Sequence, residues 1–240
     1  KQVGGGPFRD DILNELGIVH FQLGNRTEAL SMWRQALTFN PASFRVHLNF
    51  AQTLFKGEAN MTKQQLESDR KEAVDTIKSL LALRDTCEPH KQVGKKKEIV
   101  PPTYCKHLLK KKNKKEFQQV LFDGYRFMGT VQSFYEKPFL TETFYKQALK
   151  MKPWDQQIHI LLAGVYEKMQ LFGQAKSYYK QCIKLGTKKK KSKKKKNKEM
   201  FKKTKEQVVK EAYEEMDRER MASICKERNQ KLKERMKEWV

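Results

Sequence analysis

The chain has 240 residues, of which 38% are hydrophobic and 33% charged, and it carries a formal net charge of +23. One compact core cannot account for all of it, so part of the chain is expected as solvated surface or unpacked helix. No apolar run approaches the roughly 18 to 20 residues needed to span a bilayer, which excludes a helical membrane-spanning class.

The chain opens on Lys-Gln-Val-Gly-Gly-Gly, with neither an initiator Met nor an apolar leader, and reads as a fragment. From residue 10 to 41, apolar or small residues fall at Leu13, Leu16, Gly17, His20, Gly24, Ala29, Trp33, Ala36 and Pro41. Gaps of three and four predict a helix to about Gln22, a turn at Gly24 and Asn25, and a second amphipathic helix ending before Pro41. Gly17 and Ala29 let the two helices approach, Leu13, Leu16 and Trp33 are expected to fill the space between them, and Pro41 stops the second.

This spacing resembles the tetratricopeptide repeat of 34 residues, with His20 standing where an aromatic is usual. The resemblance implies an all-α fold, an α-solenoid of antiparallel helix pairs. The lag recurs. Gly17 plus 34 is Ala51, opening a second unit with Phe50 and Leu54 as packing residues. Its second helix is delayed, since Ala73 follows Ala51 by 22 residues, so Lys56 to Gln64 is expected as a longer loop. Gly129 plus 34 is Ala163, which aligns a third and a fourth unit. The fourth fits well at Leu162, Ala163, Tyr166, Ala175, Tyr179 and Cys182, after Pro153. The third departs from the pattern at Gln132 and Thr141, with Pro138 marking its turn.

Between the second and third units, residues 91–115 hold ten Lys against one Glu, and residues 88–121 read as a solvated basic insertion entering a helix near Lys115, or as a degenerate repeat. After Gly186, expected as a helix C-cap, come eight Lys in the nine residues 188–196. Beyond them, Glu199 to Trp239 are strong helix formers with opposite charges three or four apart, and a long solvated helix is expected. Two thin apolar stripes, one of Met221, Cys225, Leu232, Met236 and Trp239 and one of Val208, Val209, Ala212, Tyr213 and Met216, leave open a coiled coil with a partner or a single charged helix. The expected organisation is repeats one and two over 8–87, a basic insertion over 88–116, repeats three and four over 117–186, a lysine linker over 187–198 and a charged helix over 199–240.

No phosphate loop, nucleophile elbow or paired His motif appears, so no enzyme, cofactor or small-molecule substrate is expected. Cys87, His90, Cys105 and His107 have zinc-like spacing, but adjacent lysines oppose a cation and no metal site is assigned. The four scattered cysteines suit a reducing, intracellular compartment, cytoplasmic (including cytoskeletal) or nuclear. His20, His47 and His159 are read as packing or groove residues.

A repeat array of this kind would bind through the groove lined by its first helices. That groove is expected to present Asn14, Ile18 and Phe21 from the first unit and Arg45, Asn49, Gln52 and Phe55 from the second. Some members of the resembled family clamp acidic chaperone C-termini. Of the clamp positions only Asn49 matches, while Asn14, Ile18, Asp123 and Phe127 stand at others, so that ligand is not expected. The polyanion candidates are Lys95, Lys96, Lys97, Lys110, Lys111 and Lys112 in the insertion, and Lys188, Lys189, Lys190, Lys191, Lys193, Lys194, Lys195 and Lys196 in the linker. Lysine without arginine or interleaved aromatics favours diffuse attraction over base reading. The function expected is a protein-binding scaffold in a larger assembly, its basic segments docked on an acidic surface such as a ribonucleoprotein or tubulin tails. The alternative is direct nucleic-acid binding with the repeats as spacer.

Overall fold

The computed structural model describes residues 9–87, 105, 111–187 and 205–238. Regular structure among them is helical throughout: α1 (Arg9–Gln22), α2 (Arg26–Phe39), α3 (Phe44–Lys56), α4 (Lys63–Cys87), α5 (Lys111–Phe134), α6 (Pro138–Met151), α7 (Gln156–Lys168), α8 (Phe172–Thr187) and α9 (Lys205–Glu238). Two compact units divide after Val131. Lys111 and Lys112 lie in the first turn of α5, while Lys95, Lys96, Lys97, Lys110 and the run from Lys188 to Lys196 lie outside the described residues.

In the first unit, α1 packs on α2 and α3 on α4, with α2 also against α3. The pairing follows from the small residues. Gly17 is buried against the Trp33 indole, and an added Cβ there would stand 2.5 Å from the indole nitrogen, so no larger residue fits. Ala29, Ala36 and Ala51 are likewise buried. Arg26 joins three helices, its guanidinium donating to Asp69 at 2.6 Å and to the carbonyls of Thr53 and Leu54 at 3.4 and 3.5 Å. The expected loop between α3 and α4 is six residues, 57–62. Thr62 and Gln65 form a reciprocal capping box that starts α4: the Thr62 hydroxyl accepts from the Gln65 amide at 3.2 Å, and the Gln65 side chain accepts from the Thr62 amide at 3.0 Å. Phe117 on α5 meets Phe44 edge-on at 5.4 Å, and Arg84 donates to the Tyr125 hydroxyl at 2.8 Å.

Leu16 does not fill the space between α1 and α2 and is 44% exposed. Its counterpart 34 residues on, Phe50, is buried beside α2, with Arg34 over its ring at 5.3 Å. The pattern marks an apolar helix face, but only a neighbouring helix pair covers it.

In the second unit, α7 packs on α8 and α6. Pro138 begins α6, where its missing N–H costs nothing, and Asp155 caps α7 by accepting from the Ile158 amide at 2.9 Å. Thr141, a departure from the repeat pattern, is buried in the small-residue position, and its hydroxyl donates to the Lys137 carbonyl at 2.9 Å. The helix pairs turn in the same way. Amides of Asn25, Lys137 and Leu171 bond back to the carbonyls of His20, Gln132 and Tyr166 at 2.9, 2.9 and 2.8 Å, with Gly24, Glu136 and Gln170 in the left-handed region just before them. Glycine suits this conformation and the other two do not. Glu136→Gly and Gln170→Gly are each expected to raise stability by on the order of 1 kcal/mol, read as a shift in urea midpoint.

Two expectations about the C-terminal region are corrected. Gly186 is not a C-cap but lies inside α8, where a Cβ would meet Ala222 at 2.5 Å and the Arg218 carbonyl at 3.0 Å. The charged helix α9 is not solvated along its length: it packs on α8 and α7 through Ala222, Cys225, Asn229 and Leu232, all buried. Cys225 and Leu232 belong to the expected stripe. Tyr213 and Met216, from the other, are exposed.

The cysteines are also corrected. They are not scattered thiols but two disulfides, Cys87–Cys105 in the first unit and Cys182–Cys225 in the second. Such bonds persist in oxidising surroundings, so the cysteines do not support a reducing compartment. Bonded to each other, Cys87 and Cys105 are not zinc thiolates. His90 and His107 lie outside the described residues.

Candidate binding groove

The first helices of the first unit open a slot of about 440 Å³ lined by Ile18, Phe21, Gln22, Trp33, Asn49, Gln52, Thr53 and Lys56. Because α1 and α3 are successive first helices, residues of both facing the same side converge here. Phe21 and Trp33 form an aromatic floor, ring centroids 6.3 Å apart, with the Lys56 ammonium 5.8 Å from the Phe21 ring. Amides line the wall. Asn49 donates to the Asn14 side-chain oxygen at 3.1 Å, and Asn14 is itself buried. The slot thus combines an apolar floor with groups that both donate and accept, which is what an extended polypeptide segment needs from a partner.

Four of the seven groove candidates, Ile18, Phe21, Asn49 and Gln52, line this slot, and Asn14 joins through Asn49. Arg45 does not line it. Its guanidinium forks onto Glu116 and reaches Asp11 at 3.3 Å, which holds its pKa above the ordinary arginine value, chiefly through the Glu116 hydrogen bond. Phe55 is turned toward Phe127, ring centroids 5.5 Å apart, with the Arg70 guanidinium 5.4 Å from its ring. Gln22, Trp33, Thr53 and Lys56 were missed. Gln22 and Lys56 each stand four residues after an assigned position, Ile18 and Gln52, on the same helix face, so helical spacing alone points to them.

His47 lies elsewhere on α3 and is buried. Its Nδ1 donates to the Ser43 carbonyl at 2.8 Å. Burial pushes its pKa below 6.5, and the carbonyl hydrogen bond only partly opposes this. With the folded pKa below the unfolded one, its contribution to stability is complete above the unfolded value of about 6.5 and is lost as pH falls through the lower folded value. The urea midpoint of the first unit is expected to drop on acidification from pH 7.5 to 5.5, and His47→Gln to flatten that drop.

Among the described residues, no group of three or more His, Cys, Asp or Glu is placed to hold a metal, and no helix is long and apolar enough to cross a membrane. Residues 156–185, spanning α7 and α8, match the tetratricopeptide repeat family model. Among solved structures, the chain is similar to the pilF protein of Pseudomonas aeruginosa (15% identity, 93% of this chain and 91% of that one, TM-score 0.34). It is also similar to a thermophilic tetratricopeptide repeat protein of Thermus thermophilus (19% identity, 75% and 93%, TM-score 0.34). No curated protein matches the sequence.

Proposed function

We propose that this chain, a tetratricopeptide-type repeat protein, holds an extended segment of another polypeptide in the slot between α1 and α3, while its lysine segments attract an acidic surface in a larger assembly. Helix pairs of this kind are protein-binding scaffolds without catalytic machinery, and the chain is a scaffold of that type. The observation that carries the specific reading is the slot itself, where Ile18, Phe21 and Trp33 meet the amides of Gln22, Asn49 and Gln52. Those amides satisfy main-chain groups of either polarity, and the floor accepts an apolar side chain. Lys95, Lys96, Lys97, Lys110, Lys111, Lys112 and the run Lys188–Lys191 with Lys193–Lys196 supply the electrostatic part, toward a ribonucleoprotein or tubulin tails in the cytoplasm or nucleus. Thiol counting by mass spectrometry of the protein from cell extract tests that location against the two disulfides.

Affinity capture at low and high salt, with partners identified by crosslinking mass spectrometry, tests the rest. Groove binding survives high salt and is lost in Phe21→Ala/Gln52→Ala, whereas docking is lost at high salt and on replacing Lys188–Lys191 and Lys193–Lys196 by Gln, which leaves α9 and its disulfide in place. Capture that is indifferent to the double substitution sinks the groove. Capture indifferent to both salt and the lysine replacement sinks the docking. Steep salt dependence with RNA as the captured species makes the chain a nucleic-acid binder with the repeats as spacer.

A further inference from the structure

The second unit carries a slot built on the same plan with opposite chemistry. Helix α9 runs antiparallel to α8, with Ala222 beside Gly186 and Cys225 bonded to Cys182. It runs parallel to α7, since Gln156 donates to the Arg218 carbonyl at 3.3 Å and Arg235 to Glu167 at 3.0 Å. In the first unit α3 lies the same way, with Arg34 over Phe50 and Arg26 on Thr53 from α2, and Asn49 on Asn14 from α1. Helix α9 therefore takes the place of a further first helix.

The slot between α7 and α9 measures about 420 Å³. From α9 it is lined by Arg228, Lys231, Leu232 and Arg235, with the same spacing as Asn49, Gln52, Thr53 and Lys56 on α3. From the last repeat it is lined by Gly164, Glu167, Lys168 and Tyr179, which stand in register where Ile18, Phe21, Gln22 and Trp33 stand. Arg228, Lys231 and Lys168 stand where the amides of Asn49, Gln52 and Gln22 stand, Glu167 replaces Phe21, Arg235 keeps the cation of Lys56 and Tyr179 keeps the aromatic of Trp33. At Gly164 nothing lies within 4 Å of where a Cβ would be, so the floor is open.

We propose that the slot between α7 and α9 binds an acidic peptide segment, in which successive outward carboxylates engage the cations of α9 and Lys168. Glu167 shows that the slot already accommodates one carboxylate, which accepts from both Arg235 and the Tyr179 hydroxyl. Three cations remain in excess. Of these, Lys231 is paired with the exposed Glu227 one helical turn back, a pair that a ligand exchanges at little cost. From residue 228 to 235, α9 advances about 10.5 Å, and alternate side chains of an extended peptide are about 6.8 Å apart. Two carboxylates on one face of such a peptide fit within that span, whereas a lone phosphate meets only part of it. The proposal is independent of the slot between α1 and α3.

The test is fluorescence anisotropy of a labelled, extended Glu-Ser repeat peptide with the full chain at fixed ionic strength. Arg228→Gln/Lys231→Gln is expected to weaken binding about tenfold or more. Lys168→Gln, away from α9 packing, is expected to weaken it in the same direction. Glu167→Gln keeps an acceptor for Tyr179 but removes the competing charge, and is expected to tighten binding. Replacing Lys188–Lys191 and Lys193–Lys196 by Gln is expected to leave affinity within about twofold. Loss confined to that lysine-run variant overturns the proposal. Displacement of the peptide by inorganic phosphate at equal concentration also overturns it, because the slot would then be a site for small anions.

Discussion

Trp33→Ala is expected to lower the unfolding free energy of the first unit by about 3–5 kcal/mol, followed by urea denaturation with far-ultraviolet circular dichroism. The indole is 1% exposed and packs where α1 and α2 come closest, with Gly17 beneath it and Ala29 and Ala36 one turn to either side, also buried. Removing it empties a space that two helices are shaped around, bounded by the small residues Gly17, Ala29 and Ala36. The converse substitution is informative too. Gly17→Ala puts a methyl group where the nearest atoms are three from the indole ring, none further than 2.9 Å. Overpacking of this kind costs about 1–3 kcal/mol. The last repeat solves the same contact with Ala163 and Tyr179, both fully buried. Gly17→Ala/Trp33→Tyr is therefore expected to be more stable than the sum of its single substitutions implies. Strict additivity would show that the two side chains do not share the space assigned to them.

The reason the first unit was legible lies in that contact. A glycine 16 residues before a tryptophan, with alanines at helical spacing, states which faces meet, and α1 and α2 follow within a residue or two of the expected ends. Leu16 was misread because the face it shares with Ile12 and Val19 is apolar, yet all three are exposed in the structure. The groove was half legible. Ile18, Phe21, Asn49 and Gln52 follow from the register of the first helices, but the tie between Arg45 and Glu116 joins residues 71 apart and leaves no local trace. Helix α9 was the least legible element. Among its described side chains, the buried ones are Ala222, Cys225, Asn229 and Leu232, of which one is a large aliphatic. The complementary mark sits on α8 as Gly186, where a glycine in a charged neighbourhood reads as a helix stop. Only when both helices are seen does the glycine become a contact and the charged helix a lid on the last repeat. Two cysteines 43 residues apart carry the same message, and neither has a neighbour in sequence to announce it.

That covalent tie sets the second large effect. Cys182→Ser is expected to lower the stability of the second unit by about 4 kcal/mol in oxidising buffer, from the loop-closure entropy of a chain segment of this length. The segment between the cysteines contains the lysine run, whose eight like charges oppose any compact arrangement of the unfolded loop, so little residual structure is expected to offset the entropy. In the folded state, α9 covers Tyr179 and Cys182 with Leu232 as its main apolar contribution, itself 1% exposed. Among the described residues, the noncovalent attachment comes from Leu232, Ala222, the Gln156 bond to the Arg218 carbonyl, the Arg235 pair with Glu167 and the Arg235 guanidinium 5.7 Å from the Phe172 ring. Hydrogen exchange read by mass spectrometry separates the contributions. Amides of α9 and of the C-terminal half of α8 are expected to lose protection in Cys182→Ser and, equally, in the wild type under dithiothreitol, while α1 to α3 are unchanged. Cys87→Ser, which opens a loop of 18 residues, is expected to cost about 3 kcal/mol in the first unit and to leave α9 protected. If reduction leaves α9 as protected as before, its attachment does not depend on the disulfide. The slot between α7 and α9 would then be held by side-chain packing alone, and its affinity for acidic peptide would be unaffected by thiol reagents.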